Sequence, residues 1–186
     1  KNLDVFFIGG GGYTLPKYIE FLYPDANVEV AEIDPGVTEI AHVRLGLARD
    51  TAIKSYNEDA RLYLTDLRSE KKYNFVLGDA FNDFSVPYHL TTLEFNRLVR
   101  RHMTDDGVYM LNLIDGMDLP FVGAFMRTLR QTFDHVYLVN SSARLFGVTR
   151  NTFVVLASAK PIDLDQLRSY TGDDPVAHIN EWLATD

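Results

Sequence analysis

The stretch "FFIGGGGYTLPKYIEFLYPDANVEVAEIDP" runs from Phe6 to Pro35. An apolar segment leads straight into four glycines, Gly9 to Gly12, and these lead into a segment of helical character. A second apolar segment closes on Glu32, which follows Gly12 by 20 residues. Bare backbone between a strand and a helix permits a tight turn and lets a ligand approach without meeting a Cβ. In a doubly wound fold, ligands sit where the carboxyl ends of the strands meet the following helices, and a carboxylate closing the second strand can accept hydrogen bonds from a ribose diol. The stretch therefore predicts a parallel α/β sheet with a nucleoside site on one edge.

The rest of the chain repeats the pattern. Strands are expected over Leu3–Ile8, Val28–Glu32, Ile53–Tyr56, Asn74–Leu77 and Val108–Leu113, with helices between them. Thr14 is placed to cap the first helix, with Pro16 tolerated in its first turn. Asp34-Pro35 reads as a cap followed by a first-turn proline, and Val37, Ile40, Ala41 and Leu45 fall at helical spacing. Further helices are expected from Ala60 to about Leu67, over Leu93–His102 and over Phe121–Thr132, with a turn at Asp106-Gly107. Val136–Val139 and Thr152–Ala157, joined through Gly147, read as an antiparallel pair. Short, continuously apolar strands alternating with helices describe a mostly parallel sheet covered on both faces. Residues 1–160 form the nucleoside-binding α/β domain in this reading, and residues 161–186 a short helical tail anchored by Trp182.

Composition narrows the function. With 186 residues and 46% hydrophobic content, the chain suits one globular domain. It has no cysteine, which excludes disulfides, thiolate catalysis and cysteine-ligated metals, and favours a cytoplasmic setting. His42, His102, His135 and His178 lack metal-ligand spacing, so no metal is expected. The net charge of −8 disfavours a nucleic-acid partner and suits a small cationic or neutral molecule. Lys71-Lys72 and Arg100-Arg101 read as solvated charges, and Phe6, Phe7, Tyr18, Phe21 and Tyr23 as core. The chain opens on a core strand, which suggests a piece of something longer.

Two ligand classes use such a glycine turn. Dinucleotides place a pyrophosphate over the helix start and favour G-x-G-x-x-G spacing. Here Thr14 stands where the third glycine would fall, which weakens that reading. Adenosyl-sulfonium cofactors use the glycines for close approach. On the same sheet edge the fold brings together Asp59 from "YNEDARLYL" and Asp79 and Asp83 from "NFVLGDAFNDFSVPYHLTTLEF". Each strand-end aspartate could also be a plain helix cap, as Asp34 is expected to be. His89 reads as loop surface or as a substrate contact, and Tyr13 as a weak candidate for stacking near the cofactor.

The segments "IGGGG", "AEIDPGV", "EDAR", "GDAFNDFSVP" and "DDGVYML", in this order, resemble the spermidine synthase family of aminopropyltransferases. The similarity is closest to its spermidine synthase-like branch, sometimes joined to membrane segments. The resemblance implies a Rossmann-like sheet of the class I S-adenosylmethionine-dependent methyltransferase type. It implies that Gly9, Gly10, Gly11 and Gly12 line the cofactor and that Glu32 holds its ribose hydroxyls. Asp59, with Ala60 beside it, would receive the adenine amino group. Asp79 would be the catalytic aspartate, and Asp83 would grip the amine acceptor. The implied cofactor is decarboxylated S-adenosylmethionine or S-adenosylmethionine itself, and the implied partner a small cationic amine such as putrescine. A homodimer and attachment to a longer membrane-associated chain are left open.

Three departures stand out. Gly12 replaces an acidic residue that helps the family hold the aminopropyl ammonium. Asp79 and Asp83 lie one residue further apart than usual. The N-terminal hairpin region that completes the family's amine pocket is not in this chain. Aminopropyl transfer is the leading expectation, with methyl transfer and a non-catalytic cofactor-binding module as alternatives.

Overall fold

A computed structural model of the chain describes residues 3–66, 71–80, 86–116, 119–140, 150–163 and 179–181. Their strands are β1 (Asp4–Ile8), β2 (Asn27–Ala31), β3 (Lys54–Tyr56), β4 (Tyr73–Gly78), β5 (Met103–Gly116), β6 (His135–Asn140), β7 (Arg150–Ser158) and β8 (Ile179–Glu181). The helices are α1 (Thr14–Leu22), α2 (Pro35–Arg44), α3 (Ala60–Asp66), α4 (Leu93–Arg101) and α5 (Pro120–Leu129). The sheet order is β3-β2-β1-β4-β5-β7-β6-β8. The first five strands run parallel, and β7 enters antiparallel between β5 and β6, as the C-terminal pairing predicts. The doubly wound α/β class is thus borne out.

The alternation of side chains explains why both faces are covered. Phe6 and Ile8 of β1 point into one core with Tyr63 and Leu64 of α3, Phe95 and Val99 of α4 and Val122 and Met126 of α5. Val5 and Phe7 point the other way, packing with Val28, Val30, Tyr13, Ala41 and Leu47. A strand buried on both faces needs apolar residues at every position, which is what the FFI and VEVA segments nearly supply.

Several expectations are corrected. Tyr13, not Thr14, precedes α1, in a left-handed conformation (φ 54°) with no side-chain cap. Tyr13 does not stack in the ligand cleft; it is fully buried, and its hydroxyl bonds Thr38 Oγ1 (3.2 Å) and Ser55 Oγ (3.1 Å). Tyr18 and Phe21 of α1, and Tyr23 just after it, are exposed, because the sheet meets only the opposite side of that short helix. The expected turn at Asp106-Gly107 is a bulge inside β5, where the chain passes from Met103 to Val108 while β4 passes from Tyr73 to Phe75. Within the tail expected to be helical, Ile179–Glu181 pairs with β6 as a strand. Residues 164–178 and 182–186 of that tail, with Trp182, lie outside the described residues. No helix among the described residues is long and apolar enough to cross a membrane.

A buried charge lies beneath the sheet edge. Glu29, in the middle of β2, is 1% exposed. Its carboxylate accepts the hydroxyls of Tyr73 (2.6 Å), Tyr63 (3.1 Å) and Tyr56 (3.3 Å) and pairs with Lys71. Lys71 is therefore an ion-pair partner and not a freely solvated charge. Burial pushes the Glu29 carboxyl up, but the bonds from Lys71, Tyr73 and Tyr63 outweigh it and hold the group below its ordinary value. The same contacts and burial push the Tyr73 and Tyr63 phenols far up, so both remain donors.

Candidate active site

The carboxyl ends of β1, β2 and β4 open onto a cleft with two lobes. The larger, about 460 Å³, is lined by Gly9, Gly11, Glu32, Asp59, Ala60, Asp79 and His89, with Ile33, Val37, Pro87 and Leu90 among its apolar walls. The smaller, about 230 Å³, is lined by Gly9, Gly10, Gly12, Thr14, Asp79 and Asn112, with Phe7, Leu15, Leu77, Met110 and Val154 as apolar walls. Gly9 and Asp79 border both lobes. Parallel registration of β1 between β2 and β4 produces this convergence: Ile8 pairs with Ala31 on one side and Gly78 on the other, so residues 9, 32 and 79 leave the sheet together.

The glycine turn is held from below and from the side. Gly9 has φ 93°, and a Cβ there would lie 2.9 Å from the Asp79 carbonyl oxygen. A Cβ at Gly10 would lie 2.5 Å from the ring of Tyr13. Tyr13 thus acts as the floor of the turn, a role that its sequence neighbours do not announce.

Glu32 is 8% exposed and already engaged. One carboxylate oxygen accepts the amides of Gly10 (2.8 Å) and Gly11 (3.3 Å), and the other accepts the amide of Asp34 (2.9 Å). The residue clips the glycine turn to the end of β2. A carboxylate offers about four acceptor positions, so three amides leave about one for a ligand hydroxyl.

Asp59 stands at the start of α3, where Oδ1 accepts the amides of Arg61 (2.8 Å) and Leu62 (3.1 Å). Its Oδ2 pairs with His89 Nε2 at 2.7 Å. Burial raises the Asp59 carboxyl, but His89 and these backbone amides prevail and keep it below its ordinary value. Ala60, buried beside it, opens α3 and lines the lobe wall. Asp34 is the N-cap of α2, accepting from Gly36 N at 2.7 Å, and is not a ligand group.

Asp79 is exposed, and its amide is fixed to the Ile8 carbonyl at 3.0 Å. Asn112 Nδ2 donates to Asp79 Oδ1 at 2.8 Å. The sequence reading did not single out Asn112. It projects from β5 on the Met110 side, opposite Leu111, and only the β4–β5 register brings it to Asp79. Asp83 lies outside the described residues. The site therefore brings together Gly9 to Gly12, Glu32, Asp59, Ala60 and Asp79, and adds His89 and Asn112. No group of three His, Asp or Glu side chains among the described residues is disposed to hold a metal ion.

This strand order and cleft define a class I methyltransferase-type domain. Comparison with known proteins gives the same frame. No family model matches the chain. It is 34% identical over 187 residues to a polyamine aminopropyltransferase of Vibrio vulnificus (strain CMCP6), covering the whole chain and 57% of that protein. It superposes on the crystal structure of a probable spermidine synthase from Corynebacterium glutamicum with a TM-score of 0.78 and 22% identity, over 87% of this chain and 57% of that one. Human methyltransferase-like protein 13, solved with SAH, superposes with a TM-score of 0.75 and 20% identity, over 100% of this chain and 86% of that one. The chain spans little more than half the length of the aminopropyltransferase it matches. The resemblance read from the motifs is borne out: the chain is similar to the spermidine synthase-like proteins and has a methyltransferase-type fold.

Proposed function

We propose that the domain binds an adenosyl-sulfonium cosubstrate and serves aminopropyl transfer to a small cationic amine, with putrescine as the representative acceptor. The observation carrying this reading is the position of Asp79, a carboxylate shared by a lobe of nucleoside size and an apolar lobe beside it. In the larger lobe the reading assigns the ribose to Glu32 and the base to the walls around Asp59, Ala60 and Leu90. Because Glu32 also clips the glycine turn, one ribose hydroxyl can take its remaining acceptor position and a second competes with the Gly11 amide, the longest of its three bonds at 3.3 Å.

The bound sulfonium supplies an electrophilic carbon and its own leaving group. The chain's part is to deliver a neutral amine. An ammonium resting against Asp79 passes a proton to the carboxylate, which leaves a lone pair facing the carbon. Asn112 holds Asp79 Oδ1, so Oδ2 remains for the amine. A second carboxylate at Asp83 would fix the far end of the acceptor and with it the line of attack.

The smaller lobe bears on the form of the cosubstrate. Asp79 is the charged residue in its lining, and the other walls are apolar or neutral. A carboxylate tail would look to the amides of Gly11, Gly12 and Tyr13, but Gly11 N is turned to Glu32 and Tyr13 N to the Gly10 carbonyl (2.8 Å). That arrangement supports a tail ending in ammonium alone. Gly12, which lacks the family's acid, favours a second reading, methyl transfer from ordinary S-adenosylmethionine. Calorimetric titration with the two forms tests the choice. Because Gly12 weakens one preference and the engaged amides the other, the affinities are expected within about tenfold, or 1.4 kcal/mol. Gly12→Asp should then shift preference toward the decarboxylated form. Strong preference for ordinary S-adenosylmethionine in both proteins would remove the aminopropyl reading.

A further inference from the structure

The larger lobe contains a histidine that the reading above does not use. His89 is the middle residue of a short 3-10 turn, Tyr88–Leu90, and is gripped from several sides. Arg61 Nη1 donates to its carbonyl oxygen at 2.8 Å and to Thr92 Oγ1 at 3.3 Å, and the Tyr88 ring stands edge-on at 5.7 Å. Its Nε2 lies 2.7 Å from Asp59 Oδ2. Asp59 is held ionised, so its oxygen can only accept. Nε2 must therefore carry the proton, and in neutral imidazole the lone pair then sits on Nδ1. No partner for Nδ1 occurs among the described residues, while the residue lines the lobe with Asp59, Ala60 and Leu90.

A hydrogen-bond acceptor on the wall of a lobe that takes a base discriminates between donors and acceptors. We propose that His89 is a specificity residue which reads the six-position of a bound purine. Its Nδ1 accepts from an exocyclic amino group and is opposed to a carbonyl oxygen. Asp59 acts through it by holding the tautomer, in addition to capping α3. The inference rests on the nucleoside reading of the lobe and names the base that the lobe selects.

The test is binding alone, with methylthioadenosine and its 6-oxo counterpart methylthioinosine titrated calorimetrically into wild type, His89→Ala, His89→Gln and Glu32→Gln. The wild type should prefer the amino base by about tenfold or more, the worth of a made against an opposed hydrogen bond. His89→Ala should reduce that preference to about threefold or less, chiefly through weaker binding of the amino base. His89→Gln, whose amide can donate to Asp59 while its oxygen accepts, should restore part of it; this rescue separates a reading role from a loss of loop structure. Glu32→Gln should weaken both nucleosides alike and keep their ratio. Undiminished discrimination in His89→Ala would overturn the inference, leaving Asp59 or backbone as the reader. Binding of both nucleosides without discrimination in the wild type would also overturn it, and would leave the nucleoside reading standing. Binding of neither would overturn both.

Discussion

Replacement of Glu32 by Gln changes two things at once, and their sizes can be separated. The carboxylate accepts three amides, two on one oxygen and one on the other. Glutamine keeps a single acceptor oxygen. The favoured orientation retains Gly10 and Gly11, now as bonds to a neutral group, and turns an NH2 toward the Asp34 amide. A charge-assisted bond is worth about 1.5–3 kcal/mol and a neutral one about 1. Water can reach the exposed Asp34 and offsets part of the loss, which leaves a cost of about 2–3 kcal/mol. For a chain of this size that corresponds to a fall of about 4–12 °C in melting temperature. The second effect is on the ligand, where loss of one charged bond to a ribose hydroxyl should weaken methylthioadenosine by about 10- to 150-fold. Thermal melts followed by calorimetric titration well below the melting range measure the two independently. A melting temperature within about 1 °C of wild type would refute the argument that Glu32 clips the turn. Unchanged affinity in a folded variant would refute its assignment to the ribose.

Three further outcomes follow from the same geometry. Asp79→Asn should leave nucleoside affinity within a few-fold while transfer slows by roughly 10²- to 10⁴-fold; normal turnover would remove Asp79 from the chemistry. Gly10→Ala puts a methyl group 2.5 Å from the Tyr13 ring and should destabilise the fold by about 1–3 kcal/mol, so a denaturant midpoint equal to wild type would contradict the buried Tyr13 floor. Glu29, held below its ordinary carboxyl range, contributes stability that is present above about pH 4.5 and lost as pH falls through its folded value. Glu29→Gln should therefore cost about 2–4 kcal/mol near neutrality and progressively less in acid; a cost that stays constant from pH 7 to pH 3 would show that the charge is not what matters.

What the linear pattern determined about this protein is local in origin. The glycine turn after an apolar strand, the Asp34-Pro35 cap and the alternation of short apolar runs with helical periods are set within a few residues of one another. They are enough to set the α/β class, to place Gly9 to Gly12, Glu32, Ala60 and Asp79 on one edge and to suggest a relationship. Tertiary structure alone decided the rest, because those partners are distant along the chain. Glu29 interrupts the apolar run of its strand, and its charge is tolerated through tyrosines 27, 34 and 44 residues away. Asn112 meets Asp79 across 33 residues, and His89 meets Asp59 across 30, through strand register and a loop closure that no periodicity encodes. The same holds for Glu32, whose bonds to Gly10 and Gly11 make it a structural clip before it is a ligand group. A side chain's residue type announces what chemistry it can do; which groups have already taken its hydrogen-bonding positions is known only once the chain has folded around it.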